Sequence, residues 1–248
     1  MIKITISTPC YNSEATIEET IKSIVNQDYS NLEYNIIDGL STDGTLGIVN
    51  RYRDKIHKVI SEKDRGISDA FNKGVMNAEG ELIGNINSDD LLLPGALKTI
   101  SDEIEDDTDV IYGDGLRLFE DGTTEPYKCL PLKELYCRMA LVHPAVFVRR
   151  SCYNRFGVFD LKYKGCMDRD LLLRMLNGGA KFQYINKPLI AYRMGGFSDK
   201  NYFKHTLPEG REISMKYGMP EWKANVFFLK GFVVFKIQIL LNRLGIKK

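Results

Sequence analysis

Five short apolar runs separated by single helical patterns fill the first 112 residues, and this alternation constrains the chain more than any other feature. Residues 2–8, 32–38, 57–61, 81–87 and 109–112 read as strands. Between the first two, Asn12 or Ser13 caps a helix whose apolar face is Ile17, Ile21, Ile24 and Val25. A short helix ends at Tyr52, a third runs from Ile67 to Asn77, and Pro94 opens a fourth with Leu97 and Ile100 on one side. This order predicts βαβ units and an α/β fold with a mostly parallel central sheet flanked by helices. Such sheets bind ligands beyond the carboxyl ends of their strands. Polar clusters fall at four of those ends: Thr8-Pro9-Cys10-Tyr11, Asp38-Gly39, Glu62-Lys63-Asp64-Arg65 and Asn87-Ser88-Asp89-Asp90. Their convergence on one pocket is the main expectation.

The second half is less regular. Leu116–Phe119 and Thr124–Tyr127 flank a hairpin turn, Ala145–Val148 is strand-like, and Asp168–Leu176 is a helix that buries Leu172, Met175 and Leu176 and ends at Gly178-Gly179. With 44% hydrophobic and 27% charged residues the chain is an ordinary globular one. A net charge of +1 argues against a nucleic-acid partner. The five cysteines are odd in number and irregular in spacing, which fits reduced thiols and a cytoplasmic setting. No signal peptide is expected ahead of the opening strand.

The tail stands apart. Lys223, Lys230, Lys236, Arg243, Lys247 and Lys248 follow Trp222 with no acidic residue among them, and Val226–Leu241 is strongly apolar. Three readings are open for it: a packed core helix, a homodimer contact, or a helix lying peripherally on the anionic inner face of the cell membrane. The interrupting lysines argue against spanning.

Several residues suggest chemistry. Adjacent carboxylates at Asp89 and Asp90 repel each other, and a Mg²⁺ or Mn²⁺ ion bridging to a substrate diphosphate relieves that cost. Capping the turn before Pro94 is the plainer role. Asp38 precedes Gly39, where it either accepts a hydrogen bond from a nucleotide base or turns the chain. Thr8, Pro9 and Tyr11 either wall the base or pack a strand end. Gly66 allows close backbone approach, Arg65 can face a phosphate, and Asn72 adds polarity beyond what an amphipathic helix needs. Asp168, at a helix start, is a general base or an N-cap. His143, before Pro144, reads by itself as a packed histidine. No P-loop, H-E-x-x-H, G-x-S-x-G or G-x-G-x-x-G occurs, which argues against the enzymes that use them.

Together the segments 7–12, 36–45, 61–74, 87–90, 112–114, 143–144, 168–171 and 192–196 resemble the inverting glycosyltransferases of family 2, whose fold is called GT-A. The likeness spans about residues 1–200, and its specificity lies in the order and spacing of the motifs. It implies a nucleotide-sugar transferase domain over residues 1–215, with a donor half to about 114 and an acceptor half beyond it, then an amphipathic basic helix over 216–248. Thr8, Pro9, Tyr11 and Asp38 would hold the base, usually uracil. Asp64, Arg65, Gly66 and Asn72 would line the ribose and phosphate side. Asn87, Ser88 and Asp89 would occupy the Asp-x-Asp motif, with the metal at Asp89 and Asp90. Asp168 would be the general base, His143 would shape the acceptor side, and Arg193 would lie in a loop over the diphosphate. The acceptor would be a glycan or lipid-linked glycan in polysaccharide or glycolipid assembly. Asn87 replaces the first Asp of that motif and lowers the charge of the site; Leu40 stands where a small residue is usual. A sugar nucleotidyltransferase would instead carry a Gly-rich basic loop after its first strand, unlike Pro9-Cys10-Tyr11-Asn12. A non-catalytic nucleotide-sugar-binding scaffold is the other alternative, kept open by Asn87.

Overall fold

The computed structural model describes residues 1–196 and 200–243; Lys247 and Lys248 of the basic tail lie outside them. Among the described residues nine strands form one sheet: β1 (Ile4–Cys10), β2 (Leu32–Asp38), β3 (Lys58–Ser61), β4 (Leu82–Asn85), β5 (Leu91–Leu92), β6 (Val110–Leu118), β7 (Thr124–Tyr127), β8 (Val146–Arg149) and β9 (Phe182–Arg193). Their order is β3-β2-β1-β4-β8-β6-β9-β5, with β7 paired to β6. β3, β2, β1 and β4 are mutually parallel, each crossing over through a helix. β8 then runs antiparallel to both β4 and β6, whereas β9 is parallel to β6. The parallel character predicted from the strand–helix alternation therefore belongs to the first half. Past residue 112 the regular alternation lapses, and hairpins and short connections return the chain antiparallel.

The helices are α1 (Ile17–Val25), α2 (Thr45–Arg51), α3 (Ile67–Met76), α4 (Ala96–Glu103), α5 (Arg150–Phe156), α6 (Met167–Asn177), α7 (Leu207–Lys216) and α8 (Glu221–Arg243). Strand alternation divides the core between the two faces of the sheet. Ile4, Ile6, Leu82, Ile111 and Phe147 pack toward Ile17, Ile21 and Ile24 of α1 and Leu97 and Ile100 of α4. Their neighbours Ile83, Val110, Tyr112, Val146 and Val148 pack toward Phe71 of α3 and Leu171, Leu172 and Met175 of α6. α1 begins later than its sequence suggests, with Thr16 at the N-cap. Asn12 sits at φ 50° and accepts a hydrogen bond from the Thr42 N–H at 2.8 Å, so its side chain is committed to the loop after β2.

The C-terminal α8 packs through one side only. Phe235 stacks on Tyr202 at 4.3 Å between centroids, and Ala224 is buried. The opposite side carries Trp222, Val226, Leu229, Val233, Ile237 and Leu240, all exposed, at helical spacing. The expected division into an apolar and a charged face is not what this helix shows. Both faces are apolar, and the lysines flank the outer one.

Candidate active site

The carboxyl ends of β1, β3 and β4, the end of β9, and the starts of α3 and α6 border one cleft of about 1900 Å³. Its lining includes Pro9, Tyr11, Asp64, Arg65, Gly66 and the turn Asn87-Ser88-Asp89-Asp90. His143, Asp168 and Arg193 border the same cleft, Arg193 directly against that turn. Twelve of the residues singled out from sequence thus share one cavity.

Tyr11, 62% exposed, projects beside Gly39. A Cβ on Gly39 would strike the Asp64 carboxylate and lie 3.5 Å from the Tyr11 ring, so the missing side chain leaves a slot between aromatic and acid. Asp64 also accepts the Gly66 N–H at 2.9 Å, and Gly66, at φ +109°, begins α3 in a conformation that favours glycine. Arg65 pairs with Asp69 at 3.0 Å while remaining largely exposed.

Three expected donor contacts are spent inside the protein instead. Thr8 is fully buried and accepts the Tyr34 hydroxyl at 3.3 Å. Asp38 is fully buried too; it accepts the Ser61 hydroxyl at 2.6 Å and the Ser41 N–H at 3.2 Å from each oxygen. Asn72 grips the backbone of Phe159, donating to its carbonyl and accepting from its N–H, both at 2.8 Å. The nearby Ser68 hydroxyl donates to the Tyr163 carbonyl at 2.8 Å. These bonds fasten α3 to the segment that leads into α6. Burial at a strand end separates Thr8 and Asp38 from Tyr11 and Asp64, and Asn72 differs by its bonds to the Phe159 backbone; sequence reports neither.

The two neighbouring carboxylates differ. Asp90 is buried, and both its oxygens are occupied: one accepts the Asn87 amide at 2.9 Å and the other the Arg193 backbone N–H at 3.2 Å. It braces the turn, so the carboxylate expected as a direct ligand already has one bond to the protein on each oxygen. Asp89 and Asp90 both border the cleft, and Asp89 is the less buried of the two. Burial pushes Asp89 above the ordinary carboxylate range, against the pull of Arg193 and Lys200. Burial and the adjacent Asp89 push Asp90 up as well. Arg193 donates to the Asp89 carbonyl at 3.0 Å and pairs with Glu19. Its position at the end of β9 therefore fixes the 87–90 turn. Asn87 supplies the amide that orients Asp90, a task an Asp at that position could perform only when protonated.

This pair suits a divalent cation: repelling carboxylates in a partly dry turn gain when one is present. Among the described residues, the one convergent group of three ligand-type side chains is Glu33, His57 and Glu79, which does not border the cleft. Glu33 is already satisfied there by Thr5, Asn35 and the Glu79 N–H.

The raised Asp90 carries a sign that can be measured. The folded state holds its proton more tightly than the unfolded chain, so its contribution to stability falls as pH rises beyond the ordinary carboxylate range. Melting curves in EDTA at pH 5, 6.5 and 8 should show wild type losing ~1–3 kcal/mol relative to Asp90→Asn across that span. Parallel curves for the two proteins would refute it.

Asp168 lies in the first turn of α6, one residue past the start, and accepts the Arg169 N–H at 2.7 Å. Cys166, not Asp168, holds the N-cap position. His143 packs against Phe71 at 5.2 Å and Phe159 at 5.9 Å between centroids. Burial holds it below its ordinary range despite the Asp168 charge, so it is neutral at pH 7 and forms no ion pair with Asp168 there. Arg169 is fully buried and donates to the Leu135 carbonyl, the Gly210 carbonyl and the Ser214 hydroxyl at 2.6–2.8 Å. Asp170, equally buried, accepts Lys216 at 2.7 Å and Arg174 at 2.8 Å. Sequence reasoning missed Lys164, Lys200, Lys230, Phe227 and Phe228, which also border the cleft. Isolated lysines give no local signal, and the apolar run of α8 did not reveal which side would face inward.

The fold is that of GT-A glycosyltransferases. The structure superposes on Staphylococcus aureus TarS 1–349 in complex with UDP-GlcNAc with a TM-score of 0.67 and 19% identity, covering 93% of this chain and 72% of that one. It superposes on the mannosyltransferase PcManGT from Pyrobaculum calidifontis, in complex with GDP-Man and Mn²⁺, with a TM-score of 0.69 and 17% identity, covering 92% and 70%. The chain belongs to glycosyl transferase family 2, whose model matches residues 5–155. It is 29% identical over 231 residues to the poly(ribitol-phosphate) β-N-acetylglucosaminyltransferase TarS of S. aureus, covering 89% of this chain and 38% of that protein. It is 29% identical over 192 residues to the chondroitin synthase of Escherichia coli, covering 74% and 28%. A PGL/p-HBAD biosynthesis glycosyltransferase of Mycobacterium tuberculosis matches at 26% over 220 residues, covering 84% and 85%. The chain thus spans well under half the length of TarS and of chondroitin synthase.

Proposed function

We propose that this chain transfers a sugar, with inversion, from a UDP-sugar to a hydroxyl of a glycan or lipid-linked glycan. The observation that carries this reading is the single cleft that joins the Tyr11–Gly39–Asp64 slot, the Asp89 turn and Asp168. N-acetylglucosamine is the favoured donor sugar, because TarS, named for that transfer, is a relative over most of this chain. Tyr11 stacks on the base, and Asp64 accepts a hydrogen bond from it or from the ribose. Asp89 holds a divalent cation, which when bound supplies positive charge to the diphosphate. Asn87, Asp90 and Arg193 keep the turn in place. Asp168 takes the proton from the acceptor hydroxyl as that oxygen attacks the anomeric carbon. The bond from that carbon to the diphosphate breaks on the opposite face, and UDP leaves with the electron pair. A thermal-shift comparison of UDP, UDP-GlcNAc and GDP-mannose, each with and without Mn²⁺, tests the reading. Stabilisation by UDP ligands that needs Mn²⁺ is expected; a protein indifferent to all three would end it.

The outer face of α8 supports peripheral contact with an anionic membrane. Its exposed apolar stripe is flanked by Lys223, Lys230 and Lys236, and no acidic residue follows Glu221. Pairing of two copies through this stripe would set lysines against lysines. No described helix is long and apolar enough to cross a membrane. The Val226→Glu/Val233→Glu double variant should lose flotation with phosphatidylglycerol vesicles while remaining folded. Flotation equal to wild type, or a dimer that the variant breaks, would overturn this reading.

A further inference from the structure

The segment that delivers Asp168 to the cleft is held by a carboxylate from another helix. Glu209, on α7, accepts three consecutive backbone N–H groups: Lys164 at 3.1 Å, Gly165 at 2.8 Å and Cys166 at 3.0 Å. Three donors turned onto one carboxylate form an anion-binding concavity, here filled by the protein itself. The Glu209 side chain is only 13% exposed, and His205 stands 3.4 Å from it. A side chain at Gly165 would be tight, since a Cβ would lie 3.0 Å from the Thr206 hydroxyl and 3.1 Å from its backbone nitrogen. The Cys166 thiol donates to the Thr206 carbonyl at 3.3 Å. Glu209 does not border the cleft, whereas Lys164, Gly165, Cys166 and Asp168 do.

We propose that Glu209 is a positioning residue for Asp168. It fixes the backbone of 164–166, and through it the first turn of α6, so that the base meets the acceptor hydroxyl at one distance and angle. The proposal rests on the reading of Asp168 as the base. Misplacement of a reacting group by about an ångström can cost a hundredfold in rate with no change in what is bound. Glu209→Gln keeps the size and one accepting oxygen; Glu209→Ala leaves three N–H groups to water.

Initial rates of UDP release from UDP-GlcNAc, with Mn²⁺ and with water or poly(ribitol phosphate) as acceptor, provide the test. kcat should fall about tenfold in Glu209→Gln and about a hundredfold in Glu209→Ala, with donor KM within twofold. In an Asp168→Asn background the residual rate should fall no further when Glu209 is changed, because the effect runs through that carboxylate. Glu209→Gln should melt near wild type, which separates positioning from loss of fold. The proposal is overturned if kcat of both variants stays within twofold of wild type, or if the losses multiply in the double variant. If Asp168→Asn alone transfers at the wild-type rate, the reading of Asp168 fails first and takes this one with it.

Discussion

The Asp168→Asn substitution is expected to lower kcat by about 10²–10⁴-fold while the affinity for a UDP-sugar stays within about threefold. The amide matches the carboxylate in size and retains an oxygen to accept the Arg169 N–H, so the start of α6 is preserved. What it loses is the ability to take a proton from an acceptor hydroxyl. Asp168 borders the cleft beside His143 and takes no part in the Tyr11–Gly39–Asp64 slot proposed for the base, so donor affinity is expected to survive its loss. His143 does not substitute as the base. Burial disfavours the charge it would acquire on accepting the proton. Turnover by UDP release and affinity by calorimetry, measured on the same preparation, decide the matter. A variant that binds donor and still transfers at the wild-type rate would strip Asp168 of the role.

Removal of the Asp89 carboxylate should be nearly as damaging and should fail differently. Asp89→Ala is expected to abolish the Mn²⁺-dependent part of UDP stabilisation and to lower transfer by about 10²–10³-fold. Asp90→Ala removes a brace and leaves the less buried Asp89 carboxylate in place, because both Asp90 oxygens are tied to Asn87 and Arg193. Its loss of activity should be smaller, and its loss of stability larger, than that of Asp89→Ala. The two variants thereby separate a ligand from its support. Transfer that persists in EDTA at the wild-type rate would contradict the metal assignment altogether.

The first half of the fold was legible because period and punctuation agree there. Leu32–Asp38 is a strand with the same bounds in both readings, and Ile17, Ile21 and Ile24 are buried at the spacing that announced them. The insertion of β8 between β4 and β6 was not legible, since an apolar run shows that a strand is buried and not which neighbour it takes or in which direction. The cleft was legible as a set of strand ends. Which carboxylates point into it was not: Asp38 and Asp64 look alike in sequence, yet one is consumed by Ser61 and Ser41 and the other is open beside Tyr11. Glu209 gave no signal at all. It lies in an unremarkable amphipathic helix some 40 residues beyond the turn it serves, |i−j| being 43 to Cys166.

In the proposed transferase, the bonds from Ser68 and Asn72 to Tyr163 and Phe159 bear on how an acceptor is admitted. They rivet α3 to residues 159–163, two segments of which Ser68 and Tyr163 border the cleft. Prying the two apart at that line forfeits three hydrogen bonds, roughly 1 kcal/mol apiece. Acceptors of different girth must then be admitted at the rim, where the long terminal helix forms one bank, rather than by spreading the base.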